Sequence, residues 1–173
     1  MTRQLISFLL LSWVGVAAVS AAQPQAPSND VSARVFNSAD ISVPPLNPGE
    51  WQTLTFDSER WDTGQLHDTA ANPGRLKAPI EGKYYIFAHI TWQSPIGTGF
   101  WGVRLRLNGK TVIAEQTVPN PSAPFGISMS VGTVYALAAN DYVEAQVFQN
   151  NGGALAIRHI PATSPEFGMV RMR

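Results

Sequence analysis

The 173-residue sequence contains no cysteine, carries no net charge and has few charged residues. Without Cys the chain has no disulfide to stabilise an exported domain and no thiol nucleophile. Twelve Lys and Arg balance twelve Asp and Glu, which excludes the basic surface expected of a nucleic-acid-binding protein. Charged residues make up 14% of the chain, against about 25% in a typical domain, which indicates much buried surface or a large interface.

The N-terminal residues have the order of a secretory signal peptide. Arg3 precedes an apolar run over residues 5–19, and small residues follow up to Ala22. The apolar run is shorter than the roughly 20 residues that span a membrane. We therefore predict a signal peptide over residues 1–22, a flexible tether over 23–32 and one domain over 33–173. The product is expected to be secreted, with no membrane span after cleavage.

The rest of the chain predicts an all-β fold. Turn signals such as Asn108-Gly109 recur between β-branched and aromatic runs, and no convincing helical stretch is present. This pattern is typical of an antiparallel sandwich or barrel. The predicted strands are ten, over residues 33–38, 51–56, 75–78, 83–93, 100–108, 111–117, 127–137, 142–149, 154–159 and 167–172.

Three of these strands are apolar or aromatic on both faces. On the strand from Lys83, Tyr84 and Ile86 alternate with Tyr85, Phe87 and His89. A sandwich buries only one face of each sheet. If both faces of a sheet are apolar, the second face must be buried against something outside the sandwich. No helix remains in the sequence to cover that face, so a second copy of the chain in a closed symmetric assembly is the simplest cover.

Five segments in order along the domain carry a resemblance to a known family. They are ARVF at 33–36, DSERWDT at 57–63, LKAPIEGKYYIF at 76–87, LAANDYV at 137–143 and EFGMV at 166–170. Together they resemble the globular head of complement component 1q, within the tumour-necrosis-factor-like jelly rolls. The sequence departs from that family at Asn140, where Gly is usual, and in having no collagen-like stalk.

The resemblance implies a ten-stranded jelly roll that forms a homotrimer, with the inner sheet facing the threefold axis. The residues expected at that trimer interface are Tyr85, Phe87, His89, Phe167 and Met169. It implies no single binding role, because members of one fold bind many different partners.

No catalytic constellation is found in the sequence. The three His residues, His67, His89 and His159, are not spaced as the metal ligands of a cupin. A Gly-x-Ser-x-Gly elbow and a phosphate-binding Gly-rich loop are also missing. We therefore predict a protein that is not an enzyme and that needs no cofactor.

One segment, residues 57–72, concentrates carboxylates. Its acidic residues are Asp57, Glu59, Asp62 and Asp68. They allow a Ca²⁺ site, although their spacing does not match a calcium loop. They also allow a glycosidase acid and base. The favoured interpretation is a solvated loop in which Asp57 and Asp62 cap turns and Arg60 pairs with a carboxylate.

Aromatic residues near the loops are the other candidates for partner contact, since such rings stack on sugars or anchor protein interfaces. They also suit sealing of the sandwich end, which is the favoured interpretation for Phe100 and Trp101. The full set of candidate partner-binding residues is Trp61, Asp62, His67, Asp68, Phe100 and Trp101. The loops concerned are residues 57–72, 94–99 and 119–125.

The sequence thus predicts an exported, trimeric binding module that presents loops to an extracellular protein or glycan. Three identical sites on one rigid body would raise avidity. Two alternatives stay open at this point. One is a carbohydrate-active hydrolase that uses the carboxylates of residues 57–72, and the other is a purely structural component of a surface or particle.

Overall fold

A computed structural model describes residues 30–93, 97–120 and 126–173, and this part of the chain consists of strands and loops without a helix. The predicted signal peptide and most of the tether lie outside the described residues, as do residues 94–96 and 121–125 of two predicted loops. The strands are β1 Ser32–Phe36, β2 Ile41–Val43, β3 Gln52–Thr53, β4 Ser58–Asp62, β5 Arg75–Lys77, β6 Gly82–Thr91, β7 Phe100–Leu107, β8 Thr111–Pro119, β9 Ser128–Leu137, β10 Tyr142–Gln149, β11 Leu155–Ile157 and β12 Glu166–Arg171.

Two antiparallel sheets form the sandwich. The first sheet has the order β4-β1-β12-β6-β9, so the first and last predicted strands lie side by side. The second sheet has the order β3-β10-β7-β8, and β5 also pairs with β10. A short third pair joins β11 to β2. Pairing of early with late strands across both sheets is the topology of a jelly roll.

The core lies between the inner faces of the two sheets. Side chains alternate across each strand, so β6 sends Tyr84, Ile86 and Ile90 inward, where they are fully buried. Val103 and Leu105 of β7 approach them from the second sheet, also without exposure. Packing of two such faces is the source of stability in a chain with no disulfide.

The β7–β8 hairpin turns as the sequence predicts. Asn108 and Gly109 have φ values of 50° and 63°, the left-handed conformation that a type I′ turn requires at both central residues. The Asn108 side chain is held in place because its amide donates to Asp141 Oδ1 at 2.7 Å.

The fold class is confirmed, but the structure contains two strands that the sequence did not predict. β2 has only three residues, and β4, Ser58–Asp62, lies at the edge of the first sheet. The sequence of β4 is polar and largely exposed, as is common for edge strands, so no apolar alternation marks it. Residues 57–72 are therefore a strand followed by a loop. The predicted strand over 51–56 shrinks to Gln52–Thr53.

Candidate functional site

The outer face of the first sheet carries exposed aromatic and aliphatic side chains. Tyr85 is 45% exposed and lies opposite Val134 of β9, which is 51% exposed. Phe87, the next residue on this face, stacks on Tyr85 with ring centroids 5.8 Å apart. His89 continues the row, and its Nδ1 lies 2.6 Å from Ser130 Oγ. We call this surface, formed by Tyr85, Phe87, His89, Val134 and Gly168, the outer face.

Two residues that the sequence placed at the same interface lie in the core instead. Phe167 and Met169 are fully buried, and the Phe167 ring packs 5.5 Å from that of Phe56. The strand register explains the correction, because Phe167 pairs with Ala88, which also faces inward. On β12 the residues on the outer side of the sheet are Glu166, Gly168 and Val170, which pair with His89, Phe87 and Tyr85. The ring of Phe87 lies across Gly168.

A charged cluster borders the outer face. The Glu166 side chain is fully buried and forms ion pairs with Arg34 and, at 3.0 Å, with Arg60. The Arg60 guanidinium also stacks over the Phe36 ring at 4.0 Å. The predicted pairing of Arg60 with a carboxylate is confirmed. Its partner is on a distant strand rather than in its own segment, which sequence spacing does not reveal.

Asp62 organises the loop that follows β4. Its Oδ1 accepts from the amides of Gly64 and Leu66 at 3.0 Å, and its Oδ2 accepts from the amide of His67 at 2.9 Å. These bonds close a tight turn in which Gln65 has φ 56°. Asp62 is therefore a turn cap, as the favoured interpretation of the sequence has it.

Asp57 and Asp68 have local partners of their own. Asp57 accepts from the Ser38 amide at 2.9 Å and from the Ser38 hydroxyl at 2.6 Å. Desolvation raises the pKa of Asp57, but the hydrogen bonds together outweigh it and leave the pKa below the ordinary value. The amides of Ala71 and Ala70 donate to Asp68 and lower the pKa of its carboxyl.

His67 is fixed at both ring nitrogens. Nδ1 lies 2.9 Å from Glu59 Oε1, and Nε2 lies 3.1 Å from the Pro73 carbonyl oxygen. The His67 side chain is fully buried. Carboxylate and carbonyl oxygens are acceptors, so both contacts are hydrogen bonds only when both ring nitrogens carry a proton. His67 thus ties the loop to β4 rather than offering a free ring to a partner.

A cavity of about 560 Å³ opens beside this loop. Two of the predicted candidates, His67 and Asp68, line it. The opposite wall comes from Arg75 and Lys77 of β5 and from Tyr142 of β10, which the sequence did not single out. The remaining lining residues are Gln65, Leu66, Ala71 and Asn72.

Strand pairing brings Arg75, Lys77 and Tyr142 together in the wall of the cavity formed by β5 and β10. Tyr142 pairs with Lys77 in the β10–β5 register, and the Arg75 guanidinium stacks over the Tyr142 ring at 4.0 Å. Arg75 Nε also donates to Glu144 Oε1 at 2.9 Å. Lys77 is exposed and forms no ion pair with any carboxylate in the described ranges.

The predicted aromatic contacts divide into exposed and buried residues. Trp61 is 43% exposed, with its indole N–H donating to Ser32 Oγ at 3.2 Å, and Phe100 is 48% exposed. Trp101 is fully buried and stacks on Trp92, with centroids 6.4 Å apart. Successive side chains of a strand point to opposite faces, so Phe100 points outward and Trp101 points into the sandwich. Trp101 is therefore unavailable to a partner.

Two classes of feature are not found in the described residues. Residues 30–93, 97–120 and 126–173 contain no group of three or more His, Asp or Glu side chains arranged to hold a metal ion. In the same ranges no helix has the length and apolar character needed to cross a membrane. The four carboxylates of residues 57–72 are directed to different partners rather than to one point.

Comparisons with known proteins give a fold but no family. No protein-family model matches the sequence, and no curated protein matches it. Among solved structures, the crystal structure of murine APRIL at pH 5.0 matches with a TM-score of 0.58 and 12% identity. The match covers 83% of this chain and 99% of the APRIL chain. Together with the sheet order, it establishes that this chain has a tumour-necrosis-factor-like jelly-roll fold.

Proposed function

We propose that the chain is an exported, non-enzymatic binding module that assembles as a homotrimer through the outer face of its first sheet. The three copies would then present their loops to an extracellular protein or glycan. The signal-peptide pattern of residues 1–22 supports export. The resemblance to complement 1q heads supports the threefold symmetry.

The observation that carries the proposal is the apolar character of the exposed outer face. Tyr85 and Val134 are each about half exposed in the single chain and lie next to each other, with Phe87 stacked beside them. Covering roughly 1,000 Å² of such surface would contribute on the order of 25 kcal/mol before the costs of association. A second and third copy supply a matching surface without any further component.

The state of the carboxylates in residues 57–72 supports binding over hydrolysis. A general acid needs a pKa raised towards neutrality, whereas hydrogen bonds lower the pKa of both Asp57 and Asp68. Asp62 accepts three backbone amides, and Glu59 pairs with His67. Each carboxylate thus has a structural partner, which suits a rigid display loop.

The proposal is tested by the mass of the protein in solution. We expect size-exclusion chromatography with light scattering to give three times the protomer mass at micromolar concentration. Val134→Lys places a charge on the outer face and should yield a folded monomer. Val112→Lys is the matched control, because Val112 is 42% exposed on β8 of the second sheet, and it should remain trimeric. Wild-type protein that runs as a folded monomer would refute the proposal.

A further inference from the structure

We infer that the cavity beside the loop after β4 is a binding site for a saccharide that carries a carboxylate group, such as a uronic acid. The inference rests on the proposed function, because it names the ligand class for one of the displayed loops. None of the cavity's lining residues belongs to the outer face through which the copies are proposed to assemble. Binding can therefore be measured independently of the oligomeric state.

The size of the cavity suits a small ligand. Its volume of about 560 Å³ lies within the range of about 300–1,000 Å³ that is typical of small-molecule sites. The walls come from one loop and from two paired strands of the second sheet, β5 and β10. A sheet provides a rigid floor, which is where precise recognition is usually built.

The charges of the lining favour a ligand with a single negative group. Arg75 is balanced by Glu144 and stacks on Tyr142. Lys77, two residues further on the same face of β5, pairs with no described carboxylate. Its ammonium group therefore has no direct ion-pair partner, although the carboxylate of Asp68 lines the same cavity. A ligand carboxylate would form a charge-assisted hydrogen bond with this ammonium group.

The loop side of the cavity, formed by residues 65–72, favours hydroxyl groups over a second anion. Asp68 Oδ1 accepts two backbone amides, while no described donor is bonded to its other oxygen. Asn72 and Gln65 add amide groups to the same wall. Carboxylate and amide side chains suit a ring that carries several hydroxyls. The negative charge of Asp68 repels a doubly charged phosphate group more strongly than a singly charged carboxylate.

The loop is already held in its cavity-forming shape. Gln65 and Asn72 both line the cavity with positive φ values of 56° and 61°, a conformation that non-glycine residues adopt only when their surroundings impose it. At Gln65 the bonds of Asp62 to the amides on either side impose it, and Asn72 is of a residue type that adopts this conformation more readily than most. A preformed site avoids the entropy loss of ordering a loop on binding.

The test is a titration of the ¹⁵N-labelled protein with four probes, namely D-glucuronate, D-glucose, acetate and inorganic phosphate, monitored by amide chemical shifts. D-glucuronate should shift the amides of residues 65–72 and 75–77. We expect it to bind at least about tenfold more tightly than D-glucose, which lacks the carboxylate, or acetate, which lacks the ring. Equal affinity for acetate or inorganic phosphate would overturn the inference, because the site would then bind a free anion. An absence of shifts with glucuronate would also overturn it.

Paired lysine variants localise the charge effect. Lys77→Gln should weaken glucuronate binding by about tenfold or more and leave glucose binding unchanged. Lys110→Gln is the control, because Lys110 is also exposed but lies outside the cavity. Unchanged glucuronate affinity in Lys77→Gln would refute the inference. Light scattering on the same samples separates the two proposals, since a monomer that binds glucuronate refutes only the trimer, and a trimer that does not bind refutes only the ligand.

Discussion

The ring of Phe87 on β6 lies across Gly168 on β12, at positions that pair directly in the register of the two strands. A Cβ atom at position 168 would lie 2.4 Å from two of the ring carbons. The absence of a Cβ atom at Gly168 therefore leaves the space that the Phe87 ring occupies. This contact sets the shape of the outer face.

Gly168→Ala should push the Phe87 ring off the sheet and destabilise the protein by about 1–3 kcal/mol, as overpacking does. Urea unfolding at a fixed protomer concentration measures the change. Gly153→Ala is the control, since a Cβ at that glycine meets no atom within 4 Å. In the Phe87→Ala background the Gly168→Ala cost should largely disappear. An unchanged urea midpoint for the single variant would contradict the steric argument.

Glu166→Gln should destabilise the fold by about 2 kcal/mol, because it leaves two arginines beside a buried neutral group. The loss is smaller than for a fully buried triad, since the Arg34 and Arg60 side chains are 34% and 31% exposed. Thermal and urea unfolding give the magnitude. Glu115→Gln should change stability by less than about 0.5 kcal/mol, because Glu115 is 41% exposed and 4.0 Å from Arg104. Equal effects of the two variants would count against the role assigned to Glu166.

Trp101→Ala should cost about 3–5 kcal/mol, the usual loss for removing a large buried aromatic side chain. It should also abolish the near-ultraviolet circular dichroism that the stacked Trp92–Trp101 pair contributes. Phe100→Ala, one residue away and 48% exposed, should cost less than about 1 kcal/mol. If the two variants unfold alike, the burial of Trp101 is not as described.

The Asp57 contribution to stability should depend on pH in one direction. Its folded pKa lies below the ordinary value, so ionised Asp57 stabilises the fold above pH about 4, and this stabilisation is lost as pH falls through the folded pKa. Asp57→Asn should therefore lower stability by less than about 1 kcal/mol at neutral pH, since the site is solvent-exposed. Urea midpoints measured across the acid range should converge for the two proteins. A constant difference at every pH would show that ionisation plays no part.

Much of the fold is predictable from alternation of apolar and polar residues. The strands around Val103 and Val143 carry this alternation, and each appears near its predicted bounds. β4 fails the same test, because an edge strand needs no apolar face and its residues are Ser, Glu, Arg, Trp and Asp. Alternation of apolar and polar residues in the sequence reflects burial of one face of a strand. A strand with little burial, such as β4, therefore shows little alternation.

The candidate site was less predictable, because it depends on which residues distant strands bring together. The sequence indicated that the last strand has two apolar faces, but only its pairing with β6 decides that Phe167 faces inward. The cavity joins Asp68 from the loop to Lys77 and Tyr142 from two paired strands. Both Lys77 and Tyr142 lie in segments that carry the family resemblance, but nothing in either segment indicates that the two residues line one cavity.

The sequence by itself determined the all-β class, the doubled apolar character of β6 and the absence of disulfide or thiol chemistry, since these follow from residue type and spacing along one strand. The tertiary structure alone decided which apolar face is buried, which carboxylates become turn caps and where a cavity opens. Those outcomes depend on strand register, and a shift of one residue would exchange the inner and outer faces.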